Sequence, residues 1–203
     1  MLTEQQAEEI GRAVSNVESS TTSEIAVCIV DSTVDARCTS AIAAAFAFAA
    51  VACAGLYLLR DVGELLLLGV SAAVAIVIFW LAEHFDIPLR ILPARMLMKG
   101  ARRAARAVFL DHGLDATPQR NAVLLFVSRA ERYVEILPDR GLAAAVPAQR
   151  WANIVAAFQA QAAKQGMVPA VTEAVTAIGA ICAGPFPAGT RNPDLVPNRP
   201  IVE

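Results

Sequence analysis

The 203-residue sequence lacks the short motifs that mark several common enzyme classes. It has no GxxxxGK phosphate loop, no HExxH zinc helix, no GxSxG nucleophile elbow and no CxxxxxR thiolate loop. Those absences remove P-loop nucleotide hydrolysis, zincin-type proteolysis, serine hydrolysis and cysteine-dependent phosphatase chemistry. Cysteine is scarce, and Cys28, Cys38, Cys53 and Cys182 show no CxxC spacing. They read as buried or lipid-facing thiols, not as a disulfide framework or a zinc site. The net charge is −2, so there is no global nucleic-acid signal. The opening MLTEQQAEEIGRAV has no basic or apolar leader region and is expected not to be a signal peptide.

Charge is rarest between Ser40 and Ala82. The only charges there are Arg60, Asp61 and Glu64, clustered in the middle. The apolar runs on either side, 41–59 and 65–82, each approach the roughly 20 residues that cross a bilayer as a helix. The pattern predicts a two-helix transmembrane hairpin over 40–82. A buried hairpin of a soluble core would keep a polar face, and neither run has one. The Ala-rich first run inserts less readily than the Leu/Ile/Val-rich second and is expected to depend on it. Ala44, Ala45, Ala49, Ala52, Gly55 and Gly69 allow close helix packing. With no ionisable residue at mid-bilayer depth, an ion pathway through one copy is not expected.

The rest of the chain reads as alternating elements. Thr3 with Gln6 fits a capping box, and Ala7, Ile10, Val14 and Val17 share one face of a helix running to about Glu18. Glu24–Asp31 reads as a strand whose nearly continuous apolar run implies burial on both faces. A polar link, 32–39, leads into the hairpin. Beyond it, Pro88 and Pro93 interrupt regular structure. Six basic residues follow between Arg90 and Leu110 without an acidic one. Arg95, Lys99, Arg102 and Arg106 recur at helical spacing on one face, with Leu97, Ala101, Ala104 and Val108 on another. The basic face is either solvated or set near anionic headgroups. Ala122–Ser128 and Arg132–Leu137 read as a strand pair. Asp139 and Gly141 mark its exit. Pro147 and Pro169 open two helices, with Gly166 capping the first. The Pro-rich tail, 184–203, is expected to be extended or loosely ordered.

The first helix and strand are too small to fold alone. They are expected to join the later strands in one discontinuous domain, 1–39 with 87–190. Lys and Arg near membrane helices mark the cytoplasmic side, and two crossings return the chain to where it began. The expectation is therefore a two-pass protein of the cell (inner) membrane, both termini cytoplasmic, with the lipid bilayer and other membrane proteins as partners and no nucleic acid.

Several residues in this order resemble the TPM domain family. They are Leu2-Thr3 before the first helix; Glu18, Thr22, Glu24 and Ile25 entering the first strand; and Thr117, Arg120, Asn121 and Val123-Leu124 entering the second. Val134, Glu135, Ile136, Asp139 and Gly141 follow, then Trp151, Phe186-Pro187 and the closing Pro197-Asn198-Arg199-Pro200-Ile201. The resemblance implies an α/β fold, a compact TPM-like sandwich, here with the hairpin inserted after its first strand. Some relatives are described as acid phosphatases, some bind divalent cations, and others are assembly or accessory factors. The sequence departs from the family at Ala122 (often Gly), at Asn198 (commonly Asp) and at the hairpin itself. The lost Asp weakens a transfer of phosphatase activity.

Two functions are weighed on these grounds. One is a membrane-anchored interaction, assembly or accessory module facing the cytoplasm. The other is a phosphatase assisted by a divalent metal, Ca²⁺ or Mg²⁺. Clustered carboxylates at strand ends suit such a cation, and the candidate ligands are Glu24, Asp31 and Asp139. Candidates for phosphate or lipid contact are Arg95, Lys99, Arg102, Arg106 and Arg120. Arg120 or Arg132 would offset phosphate charge in the enzyme reading. The plainer alternatives are that Asp139 with Gly141 forms a turn, that Glu24 is a strand-edge charge, and that Glu131 and Arg132 are solvated at a hairpin tip. His84 is expected at the membrane interface, and His112 at a helix end.

Overall fold

Thr3 opens the first helix, α1 (Glu4–Glu18), through the expected capping box: Gln6 N donates to Thr3 Oγ1 at 3.3 Å and Thr3 N donates to Gln6 Oε1 at 3.0 Å. The computed structural model describes residues 2–33, 36–58, 63–84, 93–188 and 199–202. The chain divides into two compact units, one of 1–33 with 98–203 and one of 34–97.

The larger unit is built on a sheet of four described strands in the order β3-β2-β1-β4. They are β1 (Ile25–Val30), β2 (Val123–Ser128), β3 (Tyr133–Pro138) and β4 (Ile201–Val202). β1 runs parallel to β2, with Ile25 opposite Val123, and β2 runs antiparallel to β3, with Val123 opposite Pro138. Every residue of β1 and β2 is buried, as their unbroken apolar runs require when helices cover both faces. Alternate residues feed two cores. Ile25, Val27, Ile29, Val123, Leu125 and Val127 pack with α1 and with α6 (Ala148–Gln165) and α7 (Met167–Cys182). Ala26, Cys28, Val30, Leu124 and Phe126 pack under α4 (Ala94–Asp111) through Ala105 and Val108. The result is a mixed α/β sandwich with helices on both sides of the sheet.

Close approach fixes one helix contact. A Cβ at Gly179 of α7 would lie 1.9 Å from Val17 Cγ1, so α1 and α7 meet at van der Waals distance only because that position is glycine. Gly166 ends α6 at φ 92°, the left-handed region that favours glycine. α7 begins at Met167, two residues before Pro169, which sits in the first turn where its missing N–H costs nothing.

Several expectations need correction. The tail is not loose throughout. Ile201 pairs with Cys28 of β1 in parallel, while Thr22 N donates to Phe186 O at 3.1 Å and Thr21 bridges to Pro187. Its stretch 189–198, with Asn198, lies outside the described residues. A 3₁₀ turn (Leu114–Ala116) and a short helix, α5 (Arg140–Ala145), were not foreseen. Both are too short to show helical periodicity.

The smaller unit holds α2 (Ala36–Leu58) and α3 (Glu64–His84), packed on one another. α2 starts inside the expected polar link. Gly55 of α2 lets the Leu67 side chain of α3 approach, since a Cβ there would lie 2.8 Å from Leu67 Cδ2. Trp80 stacks on His84 one turn later, with ring centroids 5.1 Å apart. Among the described residues, one helix is long and apolar enough to cross a membrane, through Leu65–Ala82; the apolar stretch of α2, Ser40–Gly55, is shorter.

Candidate functional site

Strand direction sorts the candidate residues. β1 and β2 start together and β3 ends beside them, so the residues before β1, before β2 and after β3 converge at one end of the sheet. Val123 N donates to Glu24 O at 2.9 Å, and Asp139 N donates to Ala122 O at 2.8 Å. The structure thus places Glu24 and Asp139 at the same end, both buried, at 3% and 5% exposure. Glu24 is not the strand-edge charge that the plainer expectation made it.

Asp139 caps α5: one carboxylate oxygen accepts from Arg140 N at 2.7 Å. Its other oxygen, Oδ2, is buried and has no hydrogen-bond partner among the described residues. A buried carboxylate oxygen left unpaired costs free energy that a cation or water would offset. The loop above it is tightly built. Asn121 N donates to Thr117 Oγ1 at 3.2 Å, and Asn121 Nδ2 donates to Thr22 O at 2.7 Å. Gly141 N donates to Arg120 O at 2.8 Å, and a Cβ at Gly141 would lie 2.5 Å from that oxygen and 2.8 Å from Gln119 O. Arg120, at φ 52°, donates from its guanidinium to the backbone oxygen of Asp115. Its charged end serves the loop.

Asp31 lies elsewhere. It follows β1 where Glu24 precedes it, and the seven steps of extended chain at about 3.3 Å each put roughly 23 Å between them. Asp31 therefore cannot share a cation with Glu24 and Asp139. It forms an exposed ion pair with Arg129 Nη1 at 2.8 Å. Arg132 also stands at this far end, just before β3, so it cannot offset phosphate charge beside Asp139. Among the described residues, no three His, Cys, Asp or Glu side chains form a metal-holding group. Any cation at the Asp139 end would have to draw on backbone or amide oxygens as well.

The far end holds a residue that sequence reasoning misjudged. Glu131, expected to be solvated, is half-buried and gathers donors from two segments. Its Oε1 accepts from Ser32 Oγ at 2.9 Å, Thr33 N at 2.8 Å and Thr33 Oγ1 at 3.1 Å, and its Oε2 accepts from Ser128 Oγ. Burial pushes its carboxyl upward, but the donors Ser128, Thr33 and Ser32 outweigh that and hold it below the ordinary value of 4.5. Glu131 thereby staples the β2–β3 turn to the segment that leaves β1. The available signal was the run of hydroxyls after Asp31, but nothing local links it to Glu131.

The basic candidates lie on α4. Arg95, Lys99, Arg102 and Arg106 are all exposed. Arg102 Nε sits 3.5 Å from Glu135 Oε1, and Tyr133 OH donates to Glu135 Oε2 at 2.7 Å. Burial and the Glu135 carboxylate raise the Tyr133 phenol well above its ordinary value. Arg102 is therefore engaged in tying α4 to β3. His112 ends α4 with Nδ1 3.0 Å from Val108 O, the helix-end role expected of it.

Comparison with known proteins agrees with this architecture. Residues 81–181 match the family model described as the TPM domain. A solution NMR structure of the BA42 protein from the psychrophilic bacterium Bizionia argentinensis shares the fold, with TM-score 0.62 and 16% identity over 100% of this chain and 96% of that one. No curated protein matches. The chain is a mixed α/β protein that carries a TPM domain at residues 81–181. The matched stretch takes in α4 through nearly all of α7; β1, which precedes it in sequence, pairs with β2 inside the same sheet.

Proposed function

We propose that the chain is a membrane-anchored TPM-domain protein, its hairpin α2–α3 crossing the bilayer twice and its α/β unit acting as an interaction or assembly module on the cytoplasmic side. The observation that carries this reading is the outward apolar surface of α3. Leu65 is 86% exposed, Ile76 68% and Trp80 60%, in a helix without a charged residue between Leu65 and Ala82. Water would not tolerate such a surface in a monomer, and hydrocarbon would cover it. On α2, Phe46 and Tyr57 are similarly bare, which favours a second crossing beside the first. The excess of Arg and Lys on α4 over the single Arg60 between the helices favours the cytoplasmic side. Expression with reporters fused at residue 62 and after residue 203 tests the topology. The reading requires an external reporter at 62, an internal one at 203, and a chain that resists carbonate extraction. Release by carbonate, or both reporters internal, overturns it.

A second reading, a divalent-cation site supporting phosphoester hydrolysis, is favoured by one observation, the unpaired Oδ2 of Asp139. The cation would be Ca²⁺ or Mg²⁺, held by Asp139 with Glu24 at the same sheet end. Calorimetric titration of the full chain in detergent tests it: the reading requires saturable binding that Asp139→Asn abolishes, and a flat titration removes its physical basis.

A further inference from the structure

We propose that the outward face of α4 lies against anionic lipid headgroups, making this helix an interfacial element of the same chain. The inference rests on the membrane reading above and adds a specific lipid contact to it. α4 buries Ala105 and Val108 against the sheet, and Ala101 is buried on the same side of the helix. The opposite face carries Lys99, Arg103, Arg106 and Leu110 at spacings of four, three and four, with Arg95 and Met96 one turn earlier. All are exposed, Met96 at 58% and Leu110 at 59%. No acidic residue interrupts the helix before Asp111. Arg102, which sequence spacing assigned to this face, turns instead to Glu135. Arg95, Lys99, Arg103 and Arg106 make no ion pair among the described residues.

Two features separate this face from an ordinary solvated one. Arg95 occupies the first turn, where the helix dipole is positive and a cation is destabilising. It weakens the isolated helix, a cost that an anion lying outside it would offset. Bare Met and Leu side chains are interleaved with the cations. That is the composition of a helix lying in an interface plane, with apolar side chains dipping below the phosphates and long basic stems reaching them. The charge complement of such a surface is an anionic bilayer, with each nearby cation contributing roughly a fivefold gain in partition. The chain also reaches α4 a few residues after the apolar helix α3, which keeps it within reach of the bilayer surface if α3 spans it.

The test uses the full chain, grown with photo-methionine and placed in nanodiscs of phosphatidylcholine or of an equal mixture with phosphatidylglycerol. Lipid adducts on the peptide carrying Met96 and Met98 are measured by mass spectrometry. Met167 of α7 is the internal control. The expected result is roughly tenfold more adduct in the mixed discs, abolished by high salt and by combined Lys99→Gln, Arg103→Gln and Arg106→Gln. Arg102→Gln, which breaks only the Glu135 pair, should leave the adduct unchanged. Equal adduct in both lipids, or indifference to the triple variant, overturns the inference while leaving the anchor intact. A chain that never enters the discs overturns the anchor instead. It is then added to vesicles of the same two compositions, where adduct only with phosphatidylglycerol upholds the lipid contact and its absence overturns it.

Discussion

The two ends of the sheet use a carboxylate in opposite ways. At one end, Asp139 is buried with one oxygen capping α5 and the other unpaired. At the other, Glu131 is half-buried, and both its oxygens are engaged by donors from Ser32, Thr33 and Ser128. A carboxylate saturated by protein donors is a structural fastener and has little left to offer a ligand. A carboxylate with a bare buried oxygen keeps capacity in reserve. Counting acids near strand ends cannot separate these cases; counting the donors around each one can.

The largest effect is expected where the Asp139 end is closed by backbone. Gly141→Ala would drive a Cβ into Arg120 O and Gln119 O, neither of which is a flexible side-chain tip. It should destabilise the fold by about 2 kcal/mol, read as a lowered urea midpoint at unchanged slope. At the other end, Glu131→Gln should cost about 1 kcal/mol, after allowing for solvent screening at a half-exposed site. Because folding holds the Glu131 carboxyl below 4.5, its contribution is present above that value and fades as pH falls through the lower folded-state value. Denaturation of wild type and Glu131→Gln should therefore differ at pH 6 and converge in acid. A gap that widens in acid would refute the fastener role.

Asp139→Ala should cost about 1 kcal/mol through the lost cap, whereas Asp139→Asn keeps an acceptor for Arg140 N and should be nearly neutral by thermal melting. If Asn proves as harmful as Ala, the charge itself matters to the fold and the reserve capacity is illusory. The smallest effect belongs to Arg129→Ala. Its pair with Asp31 is exposed on both sides, so a change of no more than about 0.5 kcal/mol is expected in the same assay.

Much of the fold could be read from local chemistry. The Thr3–Gln6 box, the unbroken apolar runs of β1 and β2, and Gly166 each act over a few residues, and each stands where expected. The separation of Asp31 from Glu24 was also available, because a six-residue strand fixes the distance by itself. What escaped was non-local or very short. β4 is two residues beyond a Pro-rich run, and its pairing depends on β1 leaving an edge free. Glu131 depends on hydroxyls from a segment far earlier in the chain. The hairpin α2–α3 falls between these cases. Composition sets out its helices plainly, while their passage through a bilayer is the reading proposed above.

β1 is the first strand of the chain, and its neighbours on both sides, β2 and β4, come long after it. During synthesis β1 therefore waits as an unpaired apolar segment while α2 and α3 emerge. Pairings this remote in sequence form slowly, because a long loop must close before any contact rewards it. A bare edge of this kind invites pairing with another chain. If α3 reaches a bilayer first, nascent copies would be held apart on a surface during the interval when β1 has no partner. On that reading the hairpin would guard the sheet against aggregation before the fold is complete.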